Sequence, residues 1–124
     1  MDDDIADTLV SLAVNANVKA GDPERAREYF ERAYLLRQDD FMRIMLACYR
    51  ARSGLADEAR ELIRDVPESP RGYYNLACTH ALLGEKQRAL EFLEADFAEN
   101  RISAGAKEKI EAAGGTGALQ HRNR

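Results

Sequence analysis

The stretch LACYRARSGLADEA at residues 46–59 returns 30 residues later as LACTHALLGEKQRA at residues 76–89. The matches at this one offset include Leu46-Ala47-Cys48 with Leu76-Ala77-Cys78, Gly54 with Gly84, and Ala59 with Ala89. A weaker third copy lies upstream, at Ala13, Gly21 and Ala26. A fixed period in this range is typical of stacked supersecondary units, so the sequence predicts a repeat protein.

Each copy reads as a helix, a tight turn at the glycine and a second helix. Asp22 is suited to cap a helix, Pro23 to occupy its first position, and a glycine after a helix adopts the left-handed conformation without strain. Ser69 and Pro70 repeat the cap and proline signal in the third copy. The expected helices run over residues 4–20 and 23–37, 40–53 and 56–66, and 70–83 and 85–97. The predicted fold class is therefore all-α, an α-solenoid of three antiparallel helix-turn-helix units at about 4–38, 39–68 and 69–98.

Small residues recur five positions after each turn glycine, at Ala26, Ala59 and Ala89. We expect them where the two helices of a unit approach closely, because a larger side chain would wedge the helices apart. After the third unit, Ser103 can cap a further helix with Ala106, Ile110 and Ala113 on one stripe. A stack of repeats needs such a closing helix. The sequence thus predicts one domain over 1–113 with a capping helix at about 103–113, followed by a flexible tail at 114–124.

Composition narrows the class of function. The 124 residues are 45% hydrophobic and 32% charged, which is an ordinary globular balance. A net charge of −4 argues against a general nucleic-acid binder, and no apolar run approaches a membrane span. The acidic amino terminus lacks the basic and apolar parts of a secretory signal, and two cysteines without paired spacing favour a reducing compartment. We expect a cytoplasmic protein that binds neither nucleic acid nor membranes.

Residues that could carry chemistry are few and scattered. The two histidines, His80 and His121, lie far apart, and no His, Cys, Asp or Glu cluster has metal-ligand spacing. Cys48 and Cys78 occupy the same repeat position on successive first helices, at a separation too large for a disulfide, and are expected to be free thiols. We predict that the protein is not an enzyme and needs no cofactor and no metal.

The repeat resembles a known family. Gly21-Asp22 followed by Ala26, Phe30 and Ala33 is similar to the tetratricopeptide repeat signature, and the third unit is the closest match, with Tyr73-Tyr74-Asn75-Leu76-Ala77, Gly84, Ala89 and Leu93. The similarity covers about residues 7–97. Two departures stand out: Pro67 shortens the second unit, and Asp96 replaces a small residue late in the third. Either departure could change the curvature of the stack locally.

The resemblance implies that the first helix of each unit lines a concave groove that binds a protein or peptide. The implied groove residues are Leu12, Asn15, Lys19, Phe41, Ile44, Met45, Cys48, Arg52, Arg71, Tyr74, Asn75, Cys78 and Leu82. Some members clamp a terminal carboxylate there. Asn15 and Asn75 match asparagine positions of that clamp and Arg71 could replace a lysine, but Met45 departs from it. The implied ligand is an amphipathic helix or extended segment with apolar anchors and an acidic end.

Two readings of the middle helix stay open at this stage. Residues 41–51 are apolar nearly all round, which fits either core alone or a partly exposed apolar groove. Arg43 and Arg50 share one face of that helix. They either pair with Asp57, Glu58 or Glu61 of the next helix or form an exposed edge.

The leading hypothesis is a bacterial-type cytoplasmic adaptor that binds one protein segment in its groove. Two alternatives stay open. One is a small secretion-type chaperone for an aggregation-prone subunit, which rests on size and fold analogy. The other is a structural module that self-associates into a homo-oligomer through its terminal repeats.

Overall fold

The computed structural model describes residues 1–101 and contains in that range six α-helices, arranged as three antiparallel hairpins. α1 (Asp2–Val18) packs on α2 (Pro23–Leu36), α3 (Asp40–Arg52) on α4 (Ala56–Ile63), and α5 (Tyr73–Leu82) on α6 (Lys86–Asp96). A 3-10 turn, Pro70–Gly72, precedes α5, and a π-helical turn, Phe97–Arg101, follows α6. No strand occurs in this part of the chain, and the predicted all-α solenoid is confirmed.

The turns follow from local sequence chemistry. The side chain of Asp22 accepts a hydrogen bond from the Arg25 backbone N–H at 3.0 Å, which caps α2 as predicted. Gly54 ends the turn after α3 with φ of +81°, and no atom lies within 4 Å of where its Cβ would be. Glycine is therefore favoured at this turn by its positive φ, and not by a lack of room for a side chain. Gly21 and Gly84 also have positive φ.

Several predicted helix boundaries differ from the structure by one to three residues. α4 ends at Ile63 instead of residue 66, because Pro67 lacks a backbone N–H and disfavours the helical conformation of the residue before it. Ser69 makes no capping side-chain hydrogen bond, and the chain after it forms the short 3-10 turn before α5 begins at Tyr73. α1 begins at Asp2, two residues earlier than expected.

Two clusters of buried side chains hold the hairpins together, and α3 contributes to both. The first joins α1, α2 and α3 through Phe30, Met42, Leu46 and Tyr49 together with the buried alanines of α1 and α2. The second consists of Ile44, Val66, Leu76, Ala77 and Phe92. Ala26, Ala59 and Ala89 are all buried, where the packing argument placed them.

The two junctions between hairpins differ. At the first, the second helix of one unit packs on the first helix of the next, α2 against α3. At the second junction the main backbone contact is between two first helices, α3 and α5. α4 is eight residues long and makes little backbone contact with α5. As a result, α3 and α5 lie side by side, and the face they share carries the candidate site.

The predicted capping helix at 103–113 and the predicted tail at 114–124 lie outside the described residues. Among the helices that the structure describes, none is both long enough and apolar enough to cross a membrane.

Candidate functional site

A cleft of about 470 Å³ opens between the N-terminal ends of α3 and α5. We call it the α3–α5 cleft. It is lined by Asp39, Asp40, Phe41, Ile44, Ser69, Arg71, Gly72 and Asn75. α3 and α5 pack directly on each other, and the chain that leads through the 3-10 turn into α5 lines the cleft with Ser69, Arg71 and Gly72.

The floor of the α3–α5 cleft is apolar. Ile44 is only 4% exposed, and its Cδ1 lies 2.9 Å from the position that a Cβ on Gly72 would occupy. The absence of a side chain at Gly72 therefore lets Ile44 fill the space between the helices. Phe41 remains 44% exposed and the neighbouring Tyr74 on α5 48% exposed. Two aromatic side chains thus present apolar surface on this face of the molecule.

The rim of the cleft is charged. The Asp39 carboxylate accepts a hydrogen bond from the Met42 backbone N–H at 2.9 Å and lies 3.2 Å from Arg37 Nε, so it is engaged within the fold. Asp40 and Arg71 are exposed, and neither forms an ion pair with any side chain of residues 1–100. Within this part of the chain, one carboxylate and one guanidinium without an ion-pair partner therefore flank the apolar floor.

The structure brings some of the expected groove residues together and leaves others apart. Four of them line the cleft: Phe41, Ile44, Arg71 and Asn75. Met45, Arg52, Tyr74, Cys78 and Leu82 keep exposed or half-exposed side chains on α3 and α5. Leu12, Asn15 and Lys19 are exposed on α1 but do not line the cleft, because α1 packs on α2 and makes little backbone contact with α3.

The apolar middle helix, α3, has both buried and exposed side chains. Met42, Leu46 and Tyr49 are buried in the first cluster, while Ile44 belongs to the second and Cys48 is also buried. Phe41 is exposed at the cleft. Each of the two sequence-based readings therefore describes part of α3.

Arg50 forms a paired contact that the sequence did not indicate. Its Nη2 and Nε donate to the two carboxylate oxygens of Glu31 on α2, at 2.7 Å and 3.0 Å. The sequence suggested that Arg50 pairs with Asp57, Glu58 or Glu61 of the next helix, or that it lies on an exposed edge. Both predictions were wrong for Arg50. The hydrogen bond from Arg50 lowers the pKa of the Glu31 carboxyl. This ion pair links α2 to α3. It therefore helps to stabilise the packing of the first hairpin on α3, which lines the cleft.

A second polar cluster joins the second and third hairpins. His80 Nδ1 lies 2.6 Å from Glu85 Oε1, and Arg60 Nε donates to Glu85 Oε2 at 3.4 Å. The contact with His80 lowers the pKa of the Glu85 carboxyl. The imidazole also stacks on Phe92, with ring centroids 5.5 Å apart. These side chains make their polar and stacking contacts with one another. Such a cluster is typical of a structural contact, here between α4 and the turn before α6.

Both cysteines are free, as expected. Burial raises the pKa of the Cys48 thiol, which keeps it neutral and weakly nucleophilic. Cys78, on α5, is half-buried. In residues 1–101 no three His, Cys, Asp or Glu side chains form a group suited to a metal ion.

Comparison with known proteins gives one match. The model of the tetratricopeptide repeat family matches residues 6–40 and 70–95, which correspond to the first and third hairpins. Residues 41–69, which contain most of α3 and the short α4, lie between the matched ranges. No curated protein and no solved structure matches the chain significantly.

Proposed function

Because this chain belongs to the tetratricopeptide repeat family, whose repeats are generally protein–protein interaction modules, we propose that it is a non-catalytic cytoplasmic adaptor. It binds a segment of a partner protein on the face formed by α3 and α5. The partner contributes apolar anchor side chains.

The observation that carries this proposal is the α3–α5 cleft itself. It combines an apolar floor at Ile44 with exposed aromatic surface at Phe41. Tyr74 on α5 lies outside the cleft lining and adds a second exposed aromatic side chain to the face formed by α3 and α5. Aromatic side chains beside a concave site are typical anchors for protein segments, because they bury a large area with little loss of side-chain entropy. Arg71 and Asn75 at the rim supply donors for main-chain carbonyl groups of an extended segment.

A binding experiment with a double variant tests the proposal. The tagged full chain and its Met45→Glu/Tyr74→Ala variant are used to capture proteins from cell extract, and captured proteins are identified by mass spectrometry. We expect the partner to be lost with the variant, because a charge and a truncated aromatic disrupt the apolar contact. Circular dichroism establishes that the variant is folded.

A matched control separates a site effect from a general effect of added charge. Leu35 is 78% exposed on α2 and does not line the cleft, so Leu35→Glu introduces the same charge away from the site. This control retains the partner if the proposal is right. Retention of the partner by the folded double variant would place the binding surface elsewhere.

Self-association is a second candidate, favoured by the outer face of α1. Val14 and Val18 are exposed there, and Val18 reaches 73% exposure. Apolar side chains at the edge of a helical stack can pack on another copy. Light scattering of the full chain and of Val14→Glu/Val18→Glu tests this. A mass that stays monomeric as the wild-type concentration rises rules it out.

A further inference from the structure

The charges at the rim of the α3–α5 cleft define the chemistry of the partner. We propose that the bound segment places a bulky apolar side chain on the cleft floor and a neighbouring lysine or arginine against Asp40. This inference rests on the proposed function, since it assumes that the cleft binds a protein segment. It also replaces the acidic end expected from the sequence with a basic group.

The first reason is an excess of carboxylates beside the start of α3. Arg37, which precedes α3, is shared by Asp3 at 3.8 Å, Asp7 at 2.9 Å and Asp39 at 3.2 Å. One guanidinium therefore faces three carboxylates. The unpaired Asp40 adds a further negative charge next to them. A surface of this kind attracts basic groups and repels acidic ones during encounter and binding.

The second reason is that Asp40 and Phe41 are consecutive residues of the cleft lining. Both residues line the cleft, and the Phe41 ring is 44% exposed. An aromatic face beside a carboxylate suits the long side chains of lysine and arginine. Their methylene stems cover apolar surface, and their charged heads interact with the ring and the carboxylate together.

The third reason is the position of Arg71 on the opposite rim. With Asn75 it faces the same cleft and presents N–H donors without a carboxylate partner within the described residues. Main-chain carbonyl groups of an extended segment satisfy such donors and carry no net charge. Arg71 is the only cation among the residues lining the cleft, against the two carboxylates of Asp39 and Asp40, so the lining keeps an excess of negative charge.

The test is selection of peptides from a displayed random library on the immobilised full chain. We expect enriched sequences to contain a bulky apolar residue next to lysine or arginine. The enriched peptide and its analogue with glutamine in place of the basic residue are then compared by fluorescence anisotropy. The analogue should bind about 5-fold more weakly, and the difference should shrink as salt is raised.

Variants of the protein assign the effect to Asp40. Asp40→Asn should weaken binding of the enriched peptide by about the same factor of 5 and remove its advantage over the glutamine analogue. Asp57→Asn is the control, because Asp57 lies fully exposed on α4 and does not line the cleft. It should leave both affinities unchanged.

The outcomes separate this inference from the proposed function. Enriched peptides with Asp or Glu beside the apolar residue, whose binding falls in Arg71→Gln, would overturn the basic preference while leaving the cleft as the site. The same holds if the basic peptide keeps its advantage in Asp40→Asn. Undiminished peptide binding by Met45→Glu/Tyr74→Ala, or no enrichment at all, would overturn the proposed function and this inference together.

Discussion

Ala59 shows how a single side chain sets the distance between two helices. It lies on α4, five residues after the turn glycine Gly54, and has no exposed surface. We expect Ala59→Leu to destabilise the protein by about 1–3 kcal/mol through overpacking. Urea denaturation measures the change. An unaltered midpoint would contradict close packing of α3 and α4 at this position.

Gly54 and Gly72 are required for different reasons and can be distinguished by the same substitution. Gly54→Ala adds a methyl group into open space but at a φ of +81°, so we expect a loss of about 1 kcal/mol from backbone strain alone. Gly72 has a φ of −99°, which alanine adopts freely, but its Cβ would meet Ile44 Cδ1.

We expect Gly72→Ala to move the tip of Ile44 and to change the cleft floor, with less effect on stability than Gly54→Ala. Thermal melts of both variants and the methyl NMR signal of Ile44 measure these effects. A larger loss of stability in Gly72→Ala would show that Ile44 cannot move and that the floor is rigid.

At the residue scale, the sequence predicted the features that depend on interactions between residues close together in the chain. The Asp22 cap, the turn glycines and the buried alanines follow from steric and hydrogen-bonding rules that act within a few residues. The partner of Arg50 was not predictable in this way, because Glu31 is 19 positions away and meets it only through the packing of α2 on α3.

Between elements, the Glu31–Arg50 pair is the main polar contact from α2 to α3. Arg50 lowers the pKa of Glu31 from its ordinary value of 4.5. The contribution of the pair to stability is therefore complete above about pH 4.5 and is lost as the pH falls through the lowered pKa. We expect Glu31→Gln to cost about 1 kcal/mol at neutral pH, a modest value because both side chains are partly exposed.

The test compares urea denaturation of wild type and Glu31→Gln at about pH 7 and about pH 3. The difference in unfolding free energy should shrink at the acidic value. Glu28→Gln is the control, since Glu28 is exposed on the same helix and forms no ion pair with the side chains of residues 1–100. A difference that stays constant with pH would mean that Glu31 contributes through something other than its charge.

The elements themselves were predictable to within a few residues, and their packing was less so. The repeat of 30 residues predicted three hairpins, but a sequence repeat implies equal junctions. The structure departs from that at the second junction, where α4 is too short to pack on α5 as α2 packs on α3. Pro67 indicated a shortened helix. It did not indicate that α3 and α5 would lie together and form the cleft.

In the whole molecule, α3 is the element that both buried clusters share. Leu46 belongs to the first cluster and is fully buried between the hairpins. We expect Leu46→Ala to destabilise the protein by about 2–5 kcal/mol and to lower the unfolding midpoint as a single cooperative transition. Circular dichroism and tyrosine fluorescence should report the same midpoint. Separate transitions would show that the hairpins unfold independently.

The proposed binding surface illustrates which part of a site a sequence can indicate. The family resemblance placed Phe41, Ile44, Arg71 and Asn75 on one face, and the structure brings these four to one cleft. The excess of negative charge beside that cleft was not evident from the sequence. The carboxylates of Asp3, Asp7 and Asp39 gather around Arg37 only when α1, α2 and the start of α3 meet.

The most direct test of the account is an amide NMR titration of the full chain with the peptide enriched by selection. We predict that signals of residues 40–45 and 71–75 shift progressively and saturate together, because both rims of the α3–α5 cleft contact one segment. Signals of α4 and of the outer face of α6 should stay in place. Shifts concentrated on those helices, with residues 40–45 unaffected, would contradict binding on the face formed by α3 and α5.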